Sequence, residues 1–201
     1  SLQSNDFRAT ACKHLNEGSL AWIYLGHGLP TELDRVPTLA GYLPIMSVND
    51  VAQLHCQQCR PLAVLVACYT GAFDARQDCL AEELALAGEG PIAVIAATRV
   101  TMPYGNTVLG YELLRACFQD KSTSLGEALR LAQCRTLIAN QQDTFRPSLD
   151  SLAQGLSPPP VELAAERREH VLMYHLFGDP LLRLRLAPVD AAPVIDDAIA
   201  K

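Results

Sequence analysis

Four short, almost wholly apolar runs are the feature that most constrains how this chain can fold. They span residues 20–25, 61–67, 91–97 and 181–186, and helical patterns lie between them. Strands of this kind are buried on both faces, which is typical of a parallel sheet covered by helices on each side. The sequence therefore predicts an α/β fold, in which functional residues gather at the carboxyl ends of the strands.

Predicted helices and loops fill the chain between these strands. Ser47, Asp78 and Ser124 are the expected helix N-caps. Proline, glycine and polar residues predict loops at residues 26–46, 98–105 and 141–160. The predicted helices span residues 4–17, 48–57, 79–88, 106–119, 125–140 and 161–175.

The composition limits the classes of protein to which the chain can belong. With 201 residues, 49% of them apolar, it can bury the core of one α/β domain. A net charge of −6 and the lack of a basic run argue against nucleic acid as a partner. The apolar runs are far shorter than the roughly 20 residues of a membrane-spanning helix, so no membrane span is predicted.

The two ends of the sequence indicate a piece of a longer polypeptide. The chain starts at Ser1 without an initiator methionine and enters a helical pattern almost at once. Residues 1–186 are predicted to form the folded unit. Residues 187–201 are rich in alanine, proline and aspartate, and they are predicted to be a linker or a disordered tail.

A histidine and a cysteine follow two of the predicted strands. His27 comes after residues 20–25 and Cys68 after residues 61–67, so both are expected at the same edge of the sheet. A thiol nucleophile beside a proton-transfer partner predicts a cysteine hydrolase. Cys68 could instead be a buried structural thiol, and His27 a loop histidine that bonds a backbone group. The glycines on both sides of His27 favour the functional interpretation, because they let the backbone approach a ligand closely and take positive φ.

This interpretation gives each group a role in acyl transfer. The Cys68 thiolate attacks a carbonyl carbon, and His27 protonates the leaving amine before it activates water. The backbone N–H groups of Gly28 and Cys68 are the candidate oxyanion hole. No metal or other cofactor is expected.

The other cysteines carry a weaker signal. There are seven in all, so at least one is unpaired within the chain. Cys56 and Cys59 form a C-x-x-C pair directly after His55. Half of a zinc site, a local disulfide and incidental surface cysteines remain as interpretations, and the lack of a second pair at suitable spacing favours the last.

Sequence blocks around both candidate residues resemble the gingipain family of cysteine peptidases, in the clan that also holds caspases, legumains and separase. Tyr24–Gly28 resembles the family's Y-x-G-H-G block, and Ala67–Phe73 its A-C-x-x-G-x-F block. Residues 79–84 and 90–98 are similar to the helix and strand that follow the nucleophile there. Leu176–Pro180 resembles the closing L-F-G-D-P segment.

The resemblance implies a caspase-like three-layer α/β/α sandwich with a mostly parallel sheet. It implies a cysteine endopeptidase that cleaves protein or peptide substrates through a Cys68–His27 dyad and a thioester acyl-enzyme. Thr101, Met102 and Tyr104 would wall the pocket for the substrate residue before the scissile bond. Gingipains have a tryptophan in that region and this sequence does not, so their preference for arginine or lysine is not carried over.

The family also takes two acidic residues from sequence upstream of the histidine block. One lies near the catalytic histidine and the other at the base of the specificity pocket. Only 26 residues precede His27, and the nearby Glu32 and Asp34 match neither role. The resemblance therefore implies a domain truncated on its N-terminal side. Its exposed sheet edge could pair with the rest of the parent polypeptide or with a second copy of the chain.

Two other functions stay open at this point. One is a catalytically inactive caspase-like module that binds or scaffolds within a larger protein. The other is a thiol hydrolase on a flavodoxin-like sheet that acts on small esters or amides.

Overall fold

A computed structural model describes residues 4–38, 41–56, 59–120, 122–138, 143–157, 159 and 162–183. The strands in these ranges are β1 (Ala21–Leu25), β2 (Gly28–Leu29), β3 (Glu32–Leu33), β4 (Arg35–Thr38), β5 (Gly41–Pro44), β6 (Leu62–Val66), β7 (Ala93–Ala97) and β8 (Tyr174–Phe177). The α-helices are α1 (Ser4–Glu17), α2 (Leu80–Leu86), α3 (Pro103–Leu114), α4 (Leu125–Leu137), α5 (Phe145–Leu156) and α6 (Leu163–Met173). A 3-10 helix (Val48–Gln53) precedes β6, and a π-helical turn (Arg115–Gln119) continues α3.

The central sheet has the strand order β1-β6-β7-β8. β1, β6 and β7 are parallel, and every residue of β6 and β7 is buried. Continuous burial of this kind requires cover on both faces, which explains why these runs are apolar throughout. The predictions of three parallel strands and of a mostly parallel sheet are confirmed. Burial is confirmed for β6 and β7 but is wrong for β1, an edge strand whose residues are half-buried or exposed.

The fourth predicted strand is wrong in position. The strand is β8, which pairs antiparallel with β7, and its first two residues fall at the end of the helix predicted over 161–175. Residues 181–183 form no strand, and residues 184–186 lie outside the described part of the chain. The predicted tail at residues 187–201 also lies outside it.

Helices cover the sheet on both faces, as a three-layer sandwich requires. Ala63, Leu65 and alternate residues of β7 pack with α1, α2 and the 3-10 helix. Leu62, Val64 and the intervening residues of β7 pack with α3 and α4. Each fully buried leucine or isoleucine in these two layers contributes about 1.5–3 kcal/mol of transfer free energy.

Two of the three predicted helix caps are confirmed. Ser124 accepts a hydrogen bond from the Glu127 N–H at the start of α4, and Ser47 forms a capping box with Asp50. The third prediction is wrong by one residue. Cys79 rather than Asp78 is the N-cap of α2, because the Glu82 carboxylate accepts from the Cys79 N–H at 2.9 Å.

Two segments predicted as loops contain secondary structure. The described residues of 26–46 contain two antiparallel strand pairs, β2–β3 and β4–β5. Residues 141–160 contain α5, whose early proline, Pro147, falls in the first turn where a missing N–H is tolerated. The buried Arg146 ties α5 to α4, since its guanidinium donates to the Arg135 and Thr136 carbonyls.

The predicted start of the helix over 106–119 is late by three residues. α3 begins at Pro103, because proline is favoured at the first helical position.

Within the described ranges, no helix combines the length and apolar character that crossing a membrane needs.

Candidate active site

The parallel pairing of β1 with β6 brings the two candidate catalytic residues to one edge of the sheet. Leu25 is aligned with Val66 at the ends of the two strands, and the Gly26 N–H donates to the Val66 carbonyl at 3.3 Å. His27 and Cys68 each follow two residues after the last aligned pair. They therefore start adjacent loops at the carboxyl edge, where sites form in open α/β sheets.

Gly28 packs its backbone directly against the loop that carries Cys68. A Cβ atom at Gly28 would lie 2.7 Å from the Cys68 carbonyl oxygen and 2.7 Å from the Thr70 side chain. The expected positive φ at Gly26 and Gly28 is wrong: in the described chain, glycines with positive φ are Gly18, Gly41 and Gly178. Glycine at position 28 lets the backbone of the histidine loop lie close to that of the cysteine loop, because any side chain there would collide with the Cys68 carbonyl.

The strained residue of the site is Tyr69, directly after Cys68. Its φ is 59°, in the left-handed region that side-chain-bearing residues rarely adopt. The Tyr69 N–H donates to the Arg99 carbonyl at 3.1 Å, and the Gly71 N–H donates to the Ala97 carbonyl at 2.9 Å. These bonds to the end of β7 hold a turn that costs on the order of 1–3 kcal/mol in backbone strain.

The Cys68 sulfur is half-buried and rests on Thr101. The Thr101 N–H donates to Sγ at 3.3 Å, and the Thr101 carbonyl and hydroxyl oxygens each lie 3.6 Å from Sγ. The Cys68 N–H has no hydrogen-bond partner among the residues that the structure describes. The sulfur is thus held from one side, while the cysteine's own N–H remains free to donate.

The histidine loop is held through its backbone. The His27 carbonyl accepts from the Asp34 N–H at 3.1 Å and from the Tyr24 hydroxyl at 2.9 Å. The His27 side chain is exposed and its ring makes no hydrogen bond within the described residues. Glu32 pairs with Arg35 at 2.7 Å, so that acid does not orient the imidazole.

The Gly28 N–H is left out of its own hairpin. The bond from Asp34 N–H to the His27 carbonyl makes Gly28 and Leu33 a non-hydrogen-bonded pair of the β2–β3 ladder. In such a pair the N–H groups point away from the partner strand. The Gly28 N–H is therefore directed away from Leu33.

The three predicted pocket residues lie in two environments. Met102 and Tyr104 line a cavity of about 420 Å³. Thr101 is buried against Cys68 and does not line this cavity. The other lining residues come from α3, α5, the residue after α5, and α6: Pro103, Thr107, Leu149, Leu152, Ala153, Leu156, Ser157 and Glu166.

The Tyr104 hydroxyl donates a hydrogen bond to Asp150 at 2.6 Å. Burial first, and then this hydrogen bond, raise the pKa of Tyr104, so the hydroxyl is a neutral phenol.

Sequence reasoning missed three residues beneath the sulfur. His170 accepts a hydrogen bond from the Met102 N–H at 2.9 Å. Asn106 donates to the Thr101 hydroxyl at 2.9 Å and accepts from the Tyr174 hydroxyl at 2.7 Å. His170 is 68 residues from Met102 in sequence, and Tyr174 is 68 residues from Asn106, so no local sequence pattern could have predicted these contacts.

All seven cysteines lie in the described chain, and all are free thiols. Cys56 is buried and Cys59 exposed, so the structure contains no local disulfide at the C-x-x-C pair. His55 bonds Glu89 at 2.6 Å. In the part of the chain described, no group of three His, Cys, Asp or Glu side chains is placed to hold a metal ion.

A sequence profile of Peptidase family C25 matches residues 2–185. This chain belongs to peptidase family C25. Among curated proteins, no sequence matches it significantly. The gingipain resemblance is thereby confirmed as a family relationship.

Solved structures place this C25 member in the caspase-like fold. The Arg-specific cysteine proteinase gingipain R (RgpB) superposes with a TM-score of 0.64 at 18% identity, over 89% of this chain. A complex of Porphyromonas gingivalis RgpB pro- and mature domains gives 0.66 at 19% identity, also over 89%. This C25 chain spans 36% and 37% of the lengths of those two chains.

Proposed function

We propose that this C25 chain carries the nucleophile and the histidine of a cysteine endopeptidase, and that it cleaves peptide bonds through a thioester acyl-enzyme. The observation that supports this most strongly is the parallel register of β1 and β6, which ends both strands two residues before His27 and Cys68. The left-handed turn at Tyr69 adds support, since strain of this kind is concentrated at functional sites.

The reaction assigns a defined movement to each electron pair and proton. The Cys68 thiolate attacks the carbonyl carbon of the scissile peptide and forms a tetrahedral oxyanion. The C–N bond breaks as the His27 imidazolium gives its proton to the leaving amine, which leaves a thioester on Sγ. Neutral His27 then takes a proton from water, whose oxygen attacks the thioester carbonyl and releases the acid product and the thiolate.

The backbone N–H groups of Cys68 and Gly28 would stabilise the oxyanion. The first has no partner in the described structure, and the second points out of its hairpin. Both belong to main chain packed in direct contact, so their spacing is fixed before substrate arrives. Losing one such donor costs about 10²–10³ in rate in other hydrolases.

The cavity beside Thr101 is the proposed site for a substrate side chain. Met102 and Tyr104 form its near wall, and leucines of α5 form much of the rest. Thr101 links this pocket to the sulfur, because it contacts Sγ and directly precedes Met102. Glu166 is the one lining acid, and one of its oxygens accepts from the Gly105 N–H at 2.8 Å.

Site-selective labelling tests the proposed nucleophile. A peptidyl acyloxymethyl ketone is expected to modify Cys68 and to leave the exposed Cys59 and Cys134 unmodified. His27→Ala should slow this labelling, and Cys68→Ala should abolish it. Equal modification of all three cysteines would count against an activated nucleophile.

Cleavage of a mixed peptide library by the full-length parent separates the three candidate functions. Products that disappear in Cys68→Ala support the endopeptidase. Hydrolysis of small acyl esters without peptide cleavage supports the small-molecule thiol hydrolase. No Cys68-dependent reaction of either kind supports the inactive binding module, which the exposed and unpartnered His27 ring also favours.

The free edge of β1 is the proposed site for a further segment of the parent polypeptide. β1 ends the four-stranded sheet in the described chain, and its Ile23 and Leu25 side chains are 41% and 70% exposed. The match covers only 36% and 37% of the two solved relatives, which gives such a segment a source. Light scattering tests this: the 201-residue chain should be more self-associating than the parent, and a stable dimer of the parent would favour a second copy instead.

A further inference from the structure

His170 is a buried histidine whose two ring nitrogens both bond backbone. It lies on α6 and is 1% exposed. Its Nδ1 is 2.7 Å from the Glu166 carbonyl, which can only accept, so Nδ1 carries the proton. Its Nε2 is 2.9 Å from the Met102 nitrogen, which can only donate. One neutral tautomer satisfies both contacts, and the orientation of the ring is fixed by them.

The Met102 N–H belongs to the same peptide unit as the Thr101 carbonyl. A trans peptide is planar, and its N–H and C=O point in opposite directions. His170 therefore holds one side of this unit, while the Cys68 sulfur lies 3.6 Å from the carbonyl oxygen on the other side. The next N–H back along the chain, that of Thr101, donates to Sγ at 3.3 Å. A single rigid peptide plane connects the buried imidazole to the nucleophile.

The start of α3 is fitted closely to this ring. A Cβ atom at Gly105 would lie 2.4 Å from the His170 ring, so only glycine allows the helix to seat there. Met102 is the N-cap residue of α3, and its N–H is one of the groups that a helix start leaves without an intrahelical partner. His170 supplies that partner and sets the distance between α3 and α6.

A second anchor reaches Thr101 from its side chain. Asn106 donates to the Thr101 hydroxyl, and the buried Tyr174 hydroxyl fixes Asn106 at 2.7 Å. Burial strongly raises the pKa of Tyr174, so this hydroxyl stays protonated and donates. Asn106 thus holds the Thr101 side chain, and His170 holds the peptide group that joins Thr101 to Met102.

We propose that His170 is a positioning residue for the nucleophile: by accepting the Met102 N–H it fixes Thr101, whose own N–H donates to Cys68 Sγ. This assignment rests on the proposed function in taking Cys68 as the nucleophile. It goes beyond that function by giving the second histidine of the site a role without contact to substrate.

Three variants of the 201-residue chain separate positioning from simple core packing. His170→Leu keeps a side chain of similar volume but removes the acceptor for the Met102 N–H. His170→Gln keeps an acceptor near the position of Nε2. Thr136→Val is the matched control, because Thr136 is also fully buried on a helix and bonds its own helix backbone, at Ala132, far from Cys68 in sequence. The probe is iodoacetamide, with modification of each cysteine followed by mass spectrometry.

The measured quantity is the alkylation rate of Cys68 divided by that of the exposed Cys134 in the same molecule. His170→Leu should lower this ratio about threefold to tenfold, because Thr101 is then no longer fixed on its Met102 side and its N–H is held less well against the thiolate. His170→Gln should restore most of it. Thr136→Val should lower the melting temperature and leave the ratio unchanged.

Two results would overturn the proposal. One is a folded His170→Leu variant with the wild-type ratio, and the other is a folded His170→Gln variant as slow as His170→Leu. If His170→Leu does not fold, His170→Asn replaces it, because its amide is neutral and polar but too short to reach the Met102 N–H. A full-length parent that cleaves no peptide, while the ratio still depends on residue 170, would contradict the peptidase and not the positioning role.

Discussion

The two halves of the candidate dyad are held in very different ways. The Cys68 turn is tied to β7 by two backbone bonds, rests on Thr101 and includes the fully buried Thr70. The His27 loop leaves the edge strand β1, and its imidazole is exposed without a hydrogen-bond partner in the described chain. The core of the sheet fixes the candidate nucleophile, whereas within the described residues nothing fixes the orientation of the His27 ring.

This contrast bears on the electrostatics of the site. An imidazole that no acid orients is free to rotate, and its proton-transfer geometry is set only when substrate or another segment restrains it. The sulfur needs no such help, because its hydrogen-bond donor is in place. The same contrast predicts that substitutions in the Cys68 turn, or at its contact with Gly28, change stability, whereas removal of the His27 side chain changes reactivity alone.

Gly28→Ala should have the largest effect, because it attacks the contact between the two halves. The new Cβ would overlap the Cys68 carbonyl, which is backbone and cannot move aside cheaply. We expect a loss of about 1–3 kcal/mol in the free energy of unfolding, measured by urea titration. Gly88→Ala is the matched control, since nothing lies within 4 Å of a Cβ there. Equal stability of the two variants would mean that the loops are not in contact.

Tyr69 offers a smaller and purely backbone effect. Tyr69→Gly and Tyr69→Ala remove the same side chain, but only glycine tolerates a φ of 59° without strain. The glycine variant should be the more stable by about 1 kcal/mol in urea titrations. Inside helices the alanine variant is normally the more stable of the two. An alanine variant that is more stable at position 69 would therefore refute the left-handed turn.

His27→Ala should leave stability almost unchanged. The side chain is exposed and makes no hydrogen bond with the described residues, so the change in unfolding free energy should stay within about 0.5 kcal/mol. Cys68 labelling by a peptidyl ketone should nevertheless slow. A large decrease in melting temperature would show that the His27 side chain is packed, and it would contradict the difference drawn between the His27 loop and the Cys68 turn.

The Asp74–Arg99 ion pair should give the smallest effect, although it borders the Cys68 turn. The hydrogen bond from Arg99 lowers the pKa of Asp74. Its stabilisation is thus present above the ordinary carboxyl pKa and is lost as pH falls through the lowered value. Asp74→Asn should remove this small part of the acid dependence, seen by comparing melting temperatures near about pH 7 and about pH 3. A large change at neutral pH would show that the pair holds the turn.

The positions of His27 and Cys68 could be predicted because strand ends are local. A short apolar run marks a buried strand, and in a parallel sheet neighbouring strands end at the same edge. The two antiparallel strand pairs after His27 could not be found in this way. Their strands are two to four residues long, which is too short for an alternating pattern to register.

α5 and β8 show why other parts were missed. The polar residues and prolines of the segment that contains α5 predicted a loop. The helix is stabilised instead by tertiary contacts, in which Leu149 and Ala153 pack on α3 and the buried Arg146 bonds α4. β8 follows α6 without a break, so its apolar residues read as one more helical turn. The support beneath Cys68 joins residues 101, 106, 170 and 174, and tertiary packing alone creates it.

The bonds from the Cys68 turn to the end of β7 and the residues after it predict strong protection of that turn against hydrogen exchange. The Tyr69 and Gly71 amides bond carbonyls of Arg99 and Ala97, at the end of a strand buried on both faces. Their exchange with solvent deuterium requires the sheet itself to open, whereas β1 and the His27 loop can fray from the edge. Most of the conformational entropy lost on forming the candidate site would therefore come from ordering the His27 loop, because the Cys68 turn is already ordered.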